Sequence, residues 1–185
     1  MRKGIGKLKK EFEIKLPRLF DEKIIGKTFV DKPKKIIGRK LIIYARDIWE
    51  NTQKYYYKFA FKINEVKENE ALVEFVGHEI ARAFISKNVK RHSTRIGLYI
   101  KGNTRDGIML VLKPIVITTK KVKTSIARSI RNEMKKFLEL YISENNIDKI
   151  IRDIISDDLQ RYLKKSLNII YSISIVEIRK SEVKS

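Results

Sequence analysis

The stretch YYYKFAFKINEVKENEALVEFV, residues 55–76, indicates the fold class because apolar and polar side chains alternate on both sides of a short polar segment. Such alternation is typical of half-buried strands, and two runs joined by a few polar residues predict a β-hairpin. The predicted strands are 55–66 and 71–76, joined through KENE. The face of the first strand that we expect to form the core carries Tyr55, Tyr57, Phe59, Phe61 and Ile63.

Further short strands are predicted on both sides of this hairpin. They are FEIKL (12–16), GRKLIIYARDI (38–48), TRIGLYIKG (94–102), IMLVLKPIVITT (108–119) and SISIVEIRKSEV (172–183). Asp106-Gly107 between two of these runs is a strong hairpin-turn signal. Pro114 lies inside the run 108–119, and it predicts an edge or bulged strand because proline donates no backbone hydrogen bond.

Helical spacing of apolar residues appears in four segments. Residues 79–89 predict a short amphipathic helix. A long helix is predicted from Thr124, with Thr124-Ser125 as its cap, and two shorter helices follow in IDKIIRDII and DDLQRYLKKSL. The pattern predicts an α+β fold: a small distorted antiparallel β-barrel or curled sheet with one inserted helix and a C-terminal helical group. We expect residues 1–11 to be a flexible basic arm and 12–185 to be a single domain.

Net charge narrows the class of partner. The 185 residues carry 42 Lys and Arg against 22 Asp and Glu, a formal charge of +20. Most of this excess lies in residues 1–40 and 81–136, and the second segment contains only two acidic residues, Asp106 and Glu133. A field of this size and unevenness is typical of proteins that bind nucleic acid. No segment approaches the ~20 apolar residues of a membrane span, and the absence of cysteine suits a cytosolic protein.

The segment GHEIARAFISKNVKRHSTRI, residues 77–96, raises the alternative of a metal enzyme. A zinc helix of the HExxH type needs a second histidine one turn after the first, but Arg82 stands at that position after His78-Glu79. We therefore expect His78 to be a scaffold residue near the start of a helix, with Glu79 in its first turn. Phosphate-cradling and nucleophile-elbow motifs are also missing, so the sequence predicts no enzyme, no cofactor, no metal and no small-molecule substrate.

Basic and hydroxyl-bearing residues form two runs, 87–95 and 120–131, and groups of this kind bind phosphates. The tyrosines at 55–57 could instead stack on bases, but alternation favours the core. RNA bound by shape and phosphates fits this pattern better than DNA read by sequence. The predicted phosphate contacts are Arg2, Lys3, Lys7, Lys9, Lys10, Lys34, Lys35, Arg39, Lys87, Lys90, Arg91, Arg95, Lys120, Lys121, Lys123, Arg128 and Arg131.

Five blocks resemble a known family. They are PRLFDEKIIGKTFVDKPKKIIGRKL (17–41), FKINEVKENEALVEFVGHEIARAFISKNVKRHSTRI (61–96), TRDGIMLVLKP (104–114), KTSIARSIRNEM (123–134) and VEIRKSEV (176–183). Together they resemble the S3Ae family of archaeal and eukaryotic small-subunit ribosomal proteins, in order and from about residue 12 to 184. LIIYARDIWENTQ matches the family loosely. The chain stops at Ser185 without the long basic tail of eukaryotic members, which predicts an archaeal-type version.

The resemblance implies a structural constituent of the small ribosomal subunit that supports translation in the cytoplasm. It implies binding to rRNA on the platform near the mRNA exit region, and a distorted β-barrel with helices. The implied partners are small-subunit rRNA, neighbouring ribosomal proteins of the platform and, as a further candidate, mRNA near the exit region. The residues leave an alternative open, a free RNA-binding or RNA-chaperone regulator that is not integral to the ribosome.

Overall fold

Nine strands and five helices follow one another along the computed structural model, which describes residues 10–50 and 52–184. In chain order they are β1 (Lys10–Lys15), β2 (Ile24–Val30), β3 (Lys40–Tyr44), α1 (Ala45–Ile48), β4 (Tyr57–Lys67), β5 (Glu70–Ile80), α2 (Arg82–Asn88), β6 (Arg95–Gly97), β7 (Ile100–Asn103), β8 (Met109–Thr118), α3 (Thr124–Glu144), α4 (Ile147–Ser156), α5 (Asp158–Asn168) and β9 (Ile173–Lys184). The chain divides into two compact units, Met1–Val76 and Gly77–Ser185, which we call unit 1 and unit 2.

Unit 1 is built on strands in the order β2, β1, β5, β4, β3. β4 and β5 form the hairpin that the alternating sequence predicts, and β3 pairs antiparallel with β4. The contact between β1 and β5 is parallel, with Ile14 opposite Ala71. This one pair departs from the predicted antiparallel arrangement, since a long connection separates the two strands and permits either direction.

Aromatic side chains form the core of unit 1. Phe20, on a short 3-10 turn after β1, packs against Phe59 and Phe61 of β4 with ring centroids 5.2 and 5.0 Å apart. Trp49 stacks on the same ring at 5.8 Å, and its indole N–H donates to Asp21 Oδ2 at 3.3 Å. Edge-to-face pairs at these distances add attraction beyond the area that they bury. Period-two alternation in β4 therefore supplies one wall of this core.

Unit 2 is organised around β8, which pairs with β9 along one side and with β6 and β7 along the other. Its burial is nearly continuous because both of its faces are covered. β9 also pairs with residues 77–79, the last part of β5. Pro114 thus lies in a central strand, and the edge-strand alternative is wrong. The pairing register of β8 with β9 does shift between Lys113 and Pro114, but the extra residue of this bulge, Arg179, lies on β9 and not on the predicted strand.

The three C-terminal helices pack together on this sheet. α3 packs on β6 and β7, α5 packs on β9, and α4 joins them. The buried side of α3 recurs at helical spacing and consists of Ala127, Ile130, Met134, Leu138 and Ile142. Leu159, Leu163 and Leu167 form the matching buried stripe of α5. The C-terminal helical group is therefore confirmed, as is the α+β class.

The strands of the described residues do not close into a barrel in either unit, which leaves the curled-sheet alternative. In unit 1, β2 and β3 each have one strand neighbour. The predicted arm lies outside the described residues up to Lys9, while Lys10 and Glu11 begin β1. The single domain over 12–185 stays a prediction.

Several local predictions are wrong for identifiable reasons. The strand predicted at 38–48 ends at Tyr44, because Ala45 and Ile48 are buried one helical turn apart in α1. Tyr55 is 60% exposed, since it precedes β4 and therefore does not follow its alternation. The cap predicted at Thr124-Ser125 is also absent: helix α3 begins at Thr124, and Lys123 occupies the cap position without a side-chain hydrogen bond.

The helix predicted at 79–89 is shorter, and its first residues belong to β5. His78 lies in this strand and not at a helix start, because pairing with β9 extends β5 through Ile80. β2 was not predicted, since its exposure does not alternate cleanly.

Candidate nucleic-acid interface

The two basic runs of unit 2 meet at a pair of threonines. The Thr118 hydroxyl, at the end of β8, accepts from the backbone N–H of Thr94 at 3.0 Å and donates to the Lys120 carbonyl at 2.6 Å. The Thr94 hydroxyl accepts from the backbone N–H of Val122 at 3.2 Å. Thr118 is fully buried. These bonds hold residues 94 and 120–122 side by side, although more than twenty residues of chain separate them.

A tight turn shapes the first run just before this junction. The Ser93 hydroxyl donates to the Lys90 carbonyl at 2.8 Å and accepts from the backbone N–H of Lys90 at 2.9 Å. Such local side-chain bonds stabilise a turn where neither helix nor sheet continues. The turn leaves Lys90, Arg91 and His92 exposed at its surface.

All the predicted contacts of unit 2 are solvent-exposed. They are Lys87, Lys90, Arg91, Arg95, Lys120, Lys121, Lys123, Arg128 and Arg131. The junction brings the ends of the two runs together, and a groove described below brings Arg95 and Arg131 together. Exposed cations held on helices, a strand end and short connections can reach phosphate oxygens without a large rearrangement.

The only two carboxylates of residues 81–136 are directed to structural partners. Asp106 Oδ2 accepts from the backbone N–H of Ile147, the first residue of α4, at 3.0 Å. Glu133 Oε1 accepts from the Ser166 hydroxyl of α5 at 2.7 Å. Each therefore contributes to the packing of the helical group. The positive charge of the two runs has little local compensation from this segment.

An open groove of about 600 Å³ lies on unit 2 beside the centre of β8. Four cationic side chains line it: Arg95, Lys113, Arg131 and Arg179. The ring of Tyr99 also lines it and is 56% exposed. Within the part of the chain that the structure describes, no ion pair or side-chain hydrogen bond involves the three guanidinium groups. Their donors are available to a ligand.

Lys113 is anchored differently from these arginines. Its Nζ lies 3.3 Å from Glu182 Oε1 and 5.7 Å from the centroid of the Tyr99 ring. Glu182 also binds Lys180 at 2.8 Å. The hydrogen bond from Lys180, with a smaller contribution from Lys113, holds the pKa of Glu182 below its ordinary value. This carboxylate thus holds Lys113 near the tyrosine ring, where a cation–π contact is favourable.

The other predicted contacts belong to unit 1 or precede the described residues. Lys10 begins β1, and Lys34 and Lys35 form the 3-10 turn Pro33–Lys35, with Lys35 Nζ 3.9 Å from Asp31 Oδ2. Arg39 donates to the Thr28 hydroxyl at 3.1 Å. All four are exposed. The remaining predicted contacts, Arg2, Lys3, Lys7 and Lys9, lie outside the described residues.

Sequence analysis missed three residues of the groove. Tyr99 shares the polar side of TRIGLYIKG with Arg95, so the alternation of that run could have indicated it. Lys113 and Arg179 reach the groove through the register of β8 with β9, and no local pattern signals that register.

His78 has a structural role. It is buried, with ring Nε2 2.8 Å from the Ile178 carbonyl and Nδ1 2.6 Å from the Ser181 hydroxyl. A carbonyl only accepts, so Nε2 carries the proton. Among the described residues, no group of three or more His, Asp or Glu could hold a metal ion. No helix in that part of the chain is long and apolar enough to cross a membrane.

Comparison with known sequences gives the family. The sequence model of the ribosomal S3Ae family matches residues 4–185. The chain belongs to the ribosomal S3Ae family. As a member of this family it is a structural component of the ribosome and not an enzyme.

Archaeal relatives of the S3Ae family carry the name small ribosomal subunit protein eS1. The relative from Staphylothermus marinus is 32% identical over 177 residues, which cover 96% of this chain and 84% of the relative. The one from Methanopyrus kandleri is 34% identical over 93% of this chain and 83% of the relative. The one from Haloarcula marismortui is 27% identical over 96% and 83%. The similarity therefore extends through both units.

Proposed function

We propose that this chain is a structural constituent of the small ribosomal subunit in the cytoplasm and that it stabilises the subunit by binding its rRNA. The names of the archaeal relatives support the subunit. The observation that carries the rRNA contact is the junction at Thr94 and Thr118, which holds the two basic runs side by side on unit 2.

The chemistry of this surface favours phosphate over base recognition for most of its residues. Lysine and arginine heads in segments 87–95 and 120–123 present charge and hydrogen-bond donors, and the first turn of α3 adds oriented backbone amides beside them. No sequence-reading helix of a DNA-binding motif is needed for such contacts. RNA helices are recognised mainly through their shape and their phosphates.

We also propose a position on the platform near the mRNA exit region, with neighbouring ribosomal proteins and mRNA there as partners. The support is the resemblance of the five sequence blocks to the family. Salt-resistant, stoichiometric recovery of the chain in small subunits from native cells would agree with an integral component. Recovery in soluble fractions, or loss in a high-salt wash, would instead favour the free RNA-binding regulator.

The rRNA face can be tested by charge reversal. Lys120, Lys121 and Lys123 would be replaced together by glutamate, and Lys149, Lys165 and Lys184, which are exposed elsewhere on unit 2, would be replaced together as the matched control. Binding of the full chain to several small-subunit rRNA fragments would be measured over a range of salt concentrations.

Both triple variants change the net charge by the same amount, so a general field effect alters them equally. We expect the first variant to lose more than about tenfold in affinity with every fragment, and to reduce the salt slope by ~2–3, since each phosphate contact contributes about 0.7–0.9 to it. An affinity that stays within about threefold of wild type near physiological salt, or an equal loss in both variants, would contradict this placement of the rRNA face.

A further inference from the structure

The groove beside β8 arises from an irregularity on both sides of one proline. In the register of β8 with β9, Lys113 lies opposite Lys180 and Pro114 lies opposite Ile178, so Arg179 between them has no partner residue on β8. This is a β-bulge, and a bulge re-aims the side chain of the extra residue. Arg179 consequently lines the groove.

A second interruption lies on the opposite side of β8 at the same level. Gly97 of β6 pairs with Ile115, and Ile100 of β7 pairs with Leu112. The two residues between them, Leu98 and Tyr99, leave the ladder, and the Leu98 N–H donates to the Pro114 carbonyl at 3.2 Å. Tyr99 is thereby presented next to Arg95 in the same groove.

The contents of the groove correspond to the chemistry of one nucleotide. The half-exposed Tyr99 ring offers an apolar face, and unpaired bases stack on such rings in RNA-binding proteins. The free guanidinium groups of Arg95, Arg131 and Arg179 offer forked donors that match phosphate oxygens. The volume, about 600 Å³, lies within the ~300–1,000 Å³ range of small-ligand sites.

We propose that this groove binds an unpaired nucleotide of RNA, with the base stacked on Tyr99 and the flanking phosphates bound by Arg95, Arg131 and Arg179. The proposal rests on the proposed function and adds a single-strand site to its phosphate-binding face. A base inside a duplex is stacked on both faces and cannot offer one to the ring. The nucleotide must therefore come from a loop, a bulge or a strand end, in rRNA or in mRNA.

Binding measurements with the full chain test the site. The probes are a single-stranded, uridine-rich RNA decamer and a blunt duplex of equal charge. The variants are Tyr99→Ala and Tyr99→Phe, with Tyr162→Ala as the control because Tyr162 on α5 is also 56% exposed. Circular dichroism confirms that each variant is folded.

We expect Tyr99→Ala to lower the affinity for the single strand by roughly 5- to 150-fold, which is the range of one base–aromatic stack, and to leave duplex binding within about twofold. The slope of affinity against salt should not change, since no phosphate contact is removed. Tyr99→Phe and Tyr162→Ala should bind both probes like wild type, because stacking uses the ring and not the hydroxyl.

Cross-linking of the wild-type chain gives a readout that needs no variant. A decamer with 5-iodouridine, irradiated in the complex, should cross-link to the peptide that contains Tyr99. The same experiment in cells fed 4-thiouridine, with sequencing of the attached RNA, distinguishes rRNA from mRNA as the source.

The outcomes separate this proposal from the function on which it rests. If Tyr99→Ala changes neither probe, or weakens both equally, or if the cross-link maps to another peptide, the nucleotide site is refuted while phosphate binding stands. If the wild-type chain binds neither probe with salt dependence, the proposed rRNA function itself fails.

Discussion

Replacement of Gly77 by alanine should destabilise unit 2 strongly, because β9 passes too close to this position for a side chain. A Cβ built on Gly77 would overlap the carbonyl oxygen of Ser181, with the Ser181 carbonyl carbon at 3.0 Å and the Glu182 Cα at 3.3 Å. All three atoms belong to the backbone, so no side-chain rotation can relieve the overlap. The strand pair β5–β9 must move apart, or the backbone must deform.

The free-energy cost has two parts. Forcing a methyl group into a well-packed site typically costs about 1–3 kcal/mol. Movement of Ser181 also strains its hydroxyl contacts with His78, which lie at 3.1 Å from the backbone N and 2.6 Å from ring Nδ1. A buried hydrogen bond contributes about 0.5–1.5 kcal/mol, so the sum is roughly 2–5 kcal/mol. For a chain of this size that corresponds to a fall in Tm of about 5–20 °C.

Thermal and urea unfolding, followed by far-ultraviolet circular dichroism, would measure this loss. Gly97→Ala is the matched control in the same unit, because a Cβ there meets its nearest atoms, in Ile115 and Pro114, at 3.9 Å. That distance is ordinary van der Waals contact, so the control should stay within about 1 kcal/mol of wild type. If Gly77→Ala unfolded together with the control, the close approach of β9 to Gly77 would be refuted.

Two further predictions concern the helical group. Burial, with a hydrogen bond to Asp153, raises the pKa of Tyr141 above its ordinary value of 10.0. The neutral Tyr141 side chain therefore stabilises the folded state below pH 10, and this stabilisation is lost as the pH rises above 10. Urea unfolding between about pH 8 and pH 11 should show this alkaline loss in wild type and a weaker loss in Tyr141→Phe; equal pH dependence in both would contradict it. Asp106→Ala should cost ~0.5–2 kcal/mol by removing the acceptor for the first N–H of α4, and Asp106→Asn should cost less; equal stability of Asp106→Ala and wild type in urea would refute the contact.

Local patterns predicted the elements whose partners are close in sequence. The β4–β5 hairpin followed from alternation on both sides of a four-residue connection. The turn at Asp106-Gly107 followed from a dipeptide that is typical of hairpin turns, and Gly107 has the positive φ, 76°, that glycine adopts readily. α3 followed from apolar residues at helical spacing. In each case the information lies within a window of about twenty residues.

Non-local pairing explains the errors. The helical appearance of the residues after Gly77 was overridden because β9, a hundred residues later, extends β5 through Ile80. His78 was accordingly assigned to the wrong element, although its scaffold role was inferred from chemistry. β2 escaped notice since its pairing with β1 leaves most of it partly exposed. A pattern within one segment cannot specify such partners.

The candidate site shows the same division. Both basic runs were visible as charge, but their meeting depends on the buried hydroxyl of Thr118, which looks unremarkable in the run IVITT. Pro114 is the one local signal that pointed towards the groove, because a proline inside a strand predicts a bulge. The sequence did not show which strand pairs with β8 at that proline. β9 supplies Arg179, and the β6–β7 connection supplies Tyr99. The Pro114 carbonyl accepts from the Leu98 N–H, so substitution of Pro114 by valine would restore a backbone donor on the side of β8 that faces β6 and β7. The interruption that presents Tyr99 therefore lies beside the one residue that sequence rules would exclude from a central strand, whereas the bulge that presents Arg179 lies on β9.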